Sequence, residues 1–457
     1  VNMSHSPNEL LAKKNNLIIL AVALGAILNP LNTTMITVAL PDIQKEFALT
    51  SNQVSWLISS YFIVSAICLP LIGKLSDFYG RKQIFLIGLL LVAISSLTAP
   101  LSNNMLFLLG MRSIQAIGTS ALYPAGIGIV RSFISKNQNR VIGTLAVFAS
   151  TSAAFGPTIS GILIQYGGWP IIFYVNFPVI ILSAILAYKY IPNDTKVAKA
   201  SFKWDSPGIF LFSLLIFFWM YFFQDFKNGL NVWALVISVM VSYLFYQHEK
   251  KSSEPFINVN FLLKNLNISL VFIQYIFTTL VFFAMLLSMP TYLQSVLMLN
   301  SKSTGITMLS ISVFAMIMTP LATRWMEKSG FRVPLMFGVA VGIVGVILLF
   351  TTNHTIYWIL IILSIIGISN GILNVGLQTV LYSFVSKSES GIASGLLMTS
   401  RFIGNILASS LFGVMFATGI SDQNLTSMSI VLLIISVVLI PGMLLITNAK
   451  YLLKKQA

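Results

Sequence analysis

The sequence predicts an all-α polytopic membrane protein with fourteen transmembrane helices, and three observations carry that prediction. The chain is 56% hydrophobic and 9% charged, with a mean hydropathy of +0.88. Apolar stretches of about 20 residues, the length that crosses a bilayer, recur from one end to the other. The basic residues gather in alternate connections instead of scattering. A water-soluble fold of 457 residues could not cover its surface with so few charges, since soluble domains carry about 25%. Lipid is the solvent that suits such a composition, because apolar side chains facing it cost nothing.

Taken in order, the expected spans lie near 17–40, 54–74, 83–101, 105–131, 141–165, 170–190, 206–224 and 230–247. Six more lie near 267–293, 304–325, 333–351, 356–383, 391–418 and 427–448. The first lacks a small-residue cleavage site and is followed by many others, so it is expected to be a retained helix. Only Lys45, Lys227 and Lys302 fall in connections on one side, and Arg112 and Arg401 fall inside spans. All other basic residues fall on the opposite side. That asymmetry places both termini in the cytoplasm. The net charge of +15 therefore reports topology, not a nucleic-acid partner.

Other chemistries find little support. The single cysteine, Cys68, excludes an intramolecular disulfide framework and a cysteine-based metal cluster. His5, His248 and His354 are too scattered to suggest a ligand set, so no metal is expected. No GxxxxGK[ST] loop occurs, and there is no sign of nucleotide hydrolysis or of a cofactor. No convergent set of His, Asp and Glu at one face suggests an enzyme.

An internal repeat organises the spans. "PLIGKLSDFYGRK" (70–82) aligns with "PLATRWMEKSGFR" (320–332), pairing Pro70 with Pro320, Asp77 with Glu327 and Gly80 with Gly330. "SFISK" (132–136) aligns with "SFVSK" (383–387). Both pairs follow the second and fourth spans of a six-helix set. The expected divisions are a tail at 1–16, a six-helix half at 17–191, an inserted helix pair at 192–250, a second six-helix half at 251–448 and a tail at 449–457. Parallel repeats of this kind build transporters that rock around a central site.

The repeated loop also carries a family resemblance. "GKLSDFYGRK" (73–82) resembles the signature loop between the second and third helices of the major facilitator superfamily. Gly73 and Gly80 allow close approach and a tight turn. Asp77 can accept bonds from a helix N-terminus or from a basic residue such as Arg131, latching the bundle ends, while Arg81 and Lys82 hold the loop inside. "FGPTISG" (155–161) in the fifth span resembles the antiporter-associated motif of the family's drug exporters. Its Gly156, Pro157 and Gly161 would bend and thin the helix against its neighbours.

"VALPDI" (38–43), "GGWPIIFYVNFP" (167–178), "FKWDSPG" (202–208), "EPFINVNFL" (254–262) and "MPTYLQ" (289–294) extend the likeness nearly end to end. They are similar to the fourteen-helix drug:proton antiporter branch, including staphylococcal-type multidrug exporters. The resemblance implies a major facilitator fold in a bacterial cell membrane, working as a monomer among membrane lipids. It also implies export of lipophilic, often cationic, drugs in exchange for protons, driven by the proton gradient.

Within that frame, Arg112 in "MRSIQAIG" (111–118) matches the family's fourth-helix motif, where arginine takes part in proton-linked exchange. Ala116 stands where relatives usually have Gly. The first span departs further. Exporters of this branch commonly carry a buried aspartate in LDxTxxxVALP, whereas this chain reads "LNTTMITVALP" (31–41), with Asn32 in that place. An amide cannot titrate. Asp42 and Glu46, four residues apart and so on one helix face, are the nearest alternative proton carriers, because neighbouring carboxylates raise one another's pKa. Asp225 is a third.

A polar, aromatic-lined cavity is the expected substrate site. Asn29, Asn32 and Thr33 of the first span would face Gln115 and Tyr123 of the fourth. Gln274, Tyr275, Tyr292 and Gln294 of the ninth, with the stripe Asn370, Asn374 and Gln378 of the twelfth, would form the other half. Aromatic faces attract organic cations, and 18 methionines suit adaptable contacts. Arg401 is expected to snorkel to the cytoplasmic interface. The same fold also accommodates a metabolite or lipid-like cargo, or transport without protons, which Asn32 in place of an acid would suit.

Overall fold

The computed structural model describes residues 7–134, 138–193, 205–225, 231–253, 255–264, 266–351, 355–385 and 390–448. Throughout these the chain is helical or in short turns, as lipid requires of a backbone that must satisfy its own hydrogen bonds. The helices are α1 (Pro7–Glu46), α2 (Ser51–Tyr79), α3 (Arg81–Thr98), α4 (Met105–Phe133), α5 (Gln138–Gly167), α6 (Ile171–Tyr174) and α7 (Asn176–Tyr190). They continue as α8 (Ser206–Asp225), α9 (Val232–Lys251), α10 (Val259–Lys264), α11 (Leu266–Ser295) and α12 (Ser301–Ser329). The last four are α13 (Arg332–Leu348), α14 (Ile356–Phe384), α15 (Ser390–Met415) and α16 (Asp422–Asn448).

Every expected span coincides with a helix, α6 and α7 together filling the sixth. Among the described residues, eleven helices are long and apolar enough to cross a membrane, fewer than the fourteen expected. The shortfall has visible causes. The 17-residue α13 is apolar but short. The last turn of α9 carries His248, Lys250 and Lys251, and several side chains of α5 lie outside the described set. On α3, Ile87, Leu90, Ile94 and Leu97 form an exposed stripe at helical spacing, continued by Leu101 in the 3-10 turn that follows, which is the face a lipid-bathed helix presents.

The two aligned turns adopt the same device. Gly80 (φ 110°) joins α2 to α3, and Gly330 (φ 76°) joins α12 to α13. Each donates its N–H to a carbonyl four residues back, Ser76 and Met326 respectively. A side chain at either position would strain a backbone that only glycine adopts freely. These turns, with Arg81, Lys82, Lys328 and Arg332, mark what we call the basic end. At the other end, Thr50, Asn104, Asn300 and Thr355 cap α2, α4, α12 and α14 by accepting backbone N–H groups in the first turn.

Contacts sort the helices. Helices α1 to α7 pack among themselves, as do α11 to α16, while α8 pairs with α9 and leans on α2 and α15. The cores differ at the two ends. Near the basic end, one cluster holds residues from Ile18 to Ile191 only, and another holds residues from Phe261 to Ile446 only. Toward the opposite end a single cluster contains both sets, with the Phe62 ring meeting Phe283 at 5.1 Å and Phe402 at 6.0 Å. The two sets are therefore joined at one end and part at the other.

The joint is made of small residues. Helix α5 crosses α12 where Thr158 Oγ1 donates to Gly305 O at 2.8 Å. A Cβ on Gly161 would collide with Ser301 O and lie 2.8 Å from Gly305 Cα. Helix α2 meets α15 through Ser51 donating to Phe416 O at 2.7 Å, Ser55 donating to Ser409 O at 2.6 Å, and a Ser59–Ser409 hydroxyl contact. Such stripes let backbones approach closely where no hydrophobic effect drives association. We predict that Gly161→Leu opens this joint. In a chain with Cys68 replaced, a cysteine introduced as Ser409→Cys should then react several-fold faster with a hydrophilic maleimide. Equal rates with and without Gly161→Leu would contradict this.

Candidate functional site

Helices α1, α2, α4 and α7 meet around one buried charge. Arg112, 2% exposed, sits on the second turn of α4. Gln115, Thr119 and Tyr123 follow on the same side of that helix, three, seven and eleven residues later. The Arg112 guanidinium donates to Gln115 Oε1 at 2.7 Å and more weakly to Asn32 O at 3.5 Å, while its Nε has no partner. Its carbon lies 4.4 Å from the centre of the Tyr61 ring. Among the described residues no carboxylate pairs with it. Neutral dipoles and a ring face among the described residues hold this charge.

Asn32, where an aspartate was the expectation from the family pattern, is locked on both sides of its amide. Its oxygen accepts from Gln115 Nε2 at 3.0 Å and from Asn176 Nδ2 at 2.9 Å. Its nitrogen donates to Leu28 O at 2.7 Å and to Asn176 Oδ1 at 3.1 Å. Asn176 also donates to Ser96 Oγ at 3.1 Å. One turn away, Asn29 Nδ2 donates to Thr119 Oγ1 at 3.2 Å, and that hydroxyl bonds to the Tyr61 hydroxyl at 2.6 Å. Thr33 turns back and donates to Pro30 O.

The other expected residues are dispersed. Glu46 accepts from the Trp169 indole, and Asp42 lines an open cleft of about 660 Å³ at the end remote from the basic turns, shared with Lys45, Gln165 and Gln294. Gln294 donates to Val38 O at 3.0 Å, bridging α11 to α1. Tyr292 donates to Asp422 at 2.5 Å at the same end. Gln274 was expected in the central cavity but points at Gly442 of α16, where glycine leaves room for its amide. Asn370 lines a void of about 20 Å³ inside the α11, α13, α14 and α16 packing, with Thr278, Ser369 and Ser436. That volume fits one water. Asn374 and Gln378 bond at 2.7 Å, and Gln378 reaches the Tyr275 hydroxyl at 3.5 Å.

The motif residues have structural neighbours. Gly156 lets α1 pass so closely that a Cβ would collide with Thr34 Oγ1, and the Pro157 carbonyl faces Gly305. Gly73 faces Pro124 of α4. Arg81 donates to Gly128 O at 2.6 Å and to the Ser132 hydroxyl, tying its turn to the end of α4, and Arg131 closes that helix. The side chains of Asp77 and Asp225 lie outside the described residues. Tyr123 interacts electrostatically with Tyr382 and Arg401, residues of the other helix set. Arg401 is the twelfth residue of α15, roughly 16 Å from its start at 1.5 Å per residue. Its side chain is half-buried and lies within electrostatic reach of the other helix set.

Sequence reasoning missed Tyr61, Ser96 and Asn176. A polar residue inside an apolar span was the available signal. It also treated the histidines as scattered, yet the fold gathers Asp205, His248 and Glu249 with ligand atoms within 4.8 Å of one another. Asp205 pairs with His248 Nε2 at 2.5 Å and accepts N–H bonds from Gly208 and Phe256. Burial pushes its carboxyl up, but His248 and those amides outweigh burial and hold it below its ordinary value. Glu249, fully buried beyond the apolar part of α9, accepts from Ile257 N at 2.8 Å while its Oε1 is unpartnered. Burial, with Asp205 adding, pushes Glu249 from 4.5 to about 7 despite the Ile257 bond.

A raised carboxyl means that the folded state binds more protons than the unfolded state between those two values. Stability therefore falls as pH rises from about 4.5 to about 7 and then levels off. We predict that this slope in melting temperature, measured on purified protein, disappears in Glu249→Gln. A slope that survives the substitution belongs to another group.

The comparisons with known proteins agree with this architecture. A relative 37% identical over 432 residues, covering 93% of this chain and 96% of its own length, is the uncharacterized MFS-type transporter YwoD of Bacillus subtilis. Multidrug resistance protein Stp of Mycobacterium tuberculosis is 27% identical over 89% of this chain and 76% of its own. Riboflavin transporter RibZ of Clostridioides difficile is 25% identical over 90% of both. The sequence profile of the Major Facilitator Superfamily matches residues 22–409, and the chain belongs to that family of membrane transporters.

Proposed function

We propose that this protein exports small lipophilic, drug-like molecules in exchange for protons, by alternating access between two six-helix halves. The halves are α1 to α7 and α11 to α16, with α8 and α9 inserted, giving fourteen spans in a bacterial cell membrane. The basic end is cytoplasmic, because its turns hold the Lys and Arg excess. The observation that carries the reading is the asymmetry of the cores, which are joined at one end and parted at the basic end. That is how a transporter open to the cytoplasm and closed outside is built. The likeness to Stp supports a drug cargo, and the protein acts as a monomer among lipids.

Asp42 and Glu46 are the proposed proton carriers, and Arg112 the group whose network senses them through α1. A second reading has its own support. Asn32 cannot titrate, its amide is fully bonded, and a relative carries the name riboflavin transporter. On that reading the cargo is a metabolite or lipid-like compound and the step is not proton-coupled.

Transport in inverted vesicles separates the two. Export in exchange for protons predicts drug accumulation that dissipates an imposed pH gradient. Movement indifferent to the gradient would sink proton coupling and favour the second reading. Arg112→Ala should lower transport roughly tenfold or more, since it leaves Gln115 Oε1 without its charge-assisted bond. Asp42→Asn and Glu46→Gln should each weaken coupling while leaving folding intact. Unchanged coupling in both would move the proton site elsewhere.

A further inference from the structure

Among the described residues, the charges well inside helices α4 and α15 have one sign. Every acidic residue among those described lies outside a helix or within five residues of a helix end. Two basic residues, Arg112 and Arg401, stand well inside α4 and α15. Among the described residues neither pairs with a carboxylate. Arg112 lies nearer the closed end, sealed beneath Tyr61, and its Nε is buried without a partner. Arg401 is half-buried where the halves part, within electrostatic reach of Tyr123, with Tyr382 of α14 on the same side.

A buried charge in a membrane normally finds an opposite charge. Here the described residues supply none. The cation-binding face of Tyr61, a ring that would otherwise attract an organic cation, is already occupied by Arg112. A cationic cargo entering from the basic end would meet Arg401 first, then Arg112, with no acid among the described residues to offset either. A carboxylate would instead gain the planar, two-pronged donor geometry of a guanidinium. An aromatic body attached to it would rest against Tyr123 and Tyr382.

Resting on the export reading above, we infer that the cargo carries an acidic group, such as an aromatic carboxylate, and that Arg401 selects it. This narrows the cargo to organic acids over organic cations. It also sets the direction of the electrical driving force. Expelling an anion from a cell that is negative inside moves charge with the field, and exchanging it for an entering proton adds a second charge in the same sense. One-for-one exchange of a monovalent cation for a proton moves no net charge.

The test uses the full-length protein in proteoliposomes under an imposed potassium-diffusion potential. Three dyes serve as probes: fluorescein as the aromatic carboxylate, ethidium as the cation and riboflavin as a neutral molecule. Fluorescein movement should respond to the potential and exceed ethidium movement roughly tenfold, the factor that one charge-assisted bond supplies. Arg401→Gln should abolish that preference, and Arg401→Lys should keep part of it because the charge stays. The ratio of the two dyes is the deciding readout, since a merely structural role would lower both together. Ethidium or riboflavin moving without fluorescein overturns the inference and leaves export standing. An unchanged ratio in Arg401→Gln overturns the role of Arg401. If no dye moves in the wild-type protein, the export reading falls and the inference with it.

Discussion

A bilayer gives a buried polar group no water, so each must find its partner within the protein. Arg112 is where that constraint acts most strongly. Its charge is held by Gln115, a backbone carbonyl and the face of Tyr61, and Gln115 is in turn held by Asn32. Asn32 and Asn176 exchange hydrogen bonds across 144 positions of sequence. Breaking any link strands an amide or a charge in a dry interior. The chain of bonds thus fastens α1, α2, α4 and α7 into one body, and Asn29, Thr119 and Tyr61 add a second strand to the fastening.

Between the helix sets the chemistry is of another kind. There, beside the contacts of the Phe62 ring and the Gln294 bond to Val38, the contacts include hydroxyls on carbonyls and glycines passing close to backbone, as at Thr158 with Gly305 and Ser55 with Ser409. These groups are small, and each hydroxyl can turn back onto its own helix when the surfaces separate. Amide networks inside a set and small-residue contacts between sets divide the molecule into rigid parts and a separable seam. The antiporter-like motif belongs to this seam. Gly156 fits α5 to α1, and Gly161 fits it to α12, so one short segment touches both sets.

The inserted pair is attached differently again. Asp205, just before α8, and Glu249, near the end of α9, accept backbone N–H groups from Phe256 and Ile257 in the connection that follows. His248 bonds to Asp205 in the same cluster. The two carboxyls are pushed in opposite directions, Asp205 down by its donors and Glu249 up by burial. A proton on Glu249 relieves the repulsion between them, which makes this attachment responsive to pH near neutrality.

The sequence by itself determined the solvent, the helices and the repeat, because these follow from composition and from spacing along the chain. Charges were too few for water, and Gly80 and Gly330 announced the same turn twice. Arg112 was legible as a charge out of place. Only the tertiary structure decided which neighbour each polar face meets. Helical periodicity says that Asn370, Asn374 and Gln378 share a stripe, yet the first lines an internal void while the other two bond to one another. Gln274 turned to α16 because Gly442 leaves a space there, a relation between residues 168 positions apart. Asn32 read as a missing acid, and the fold shows it as the hinge of a saturated amide pair with Asn176. A side chain's direction along its own helix is a local property, but its partner depends on how helices distant in sequence are packed.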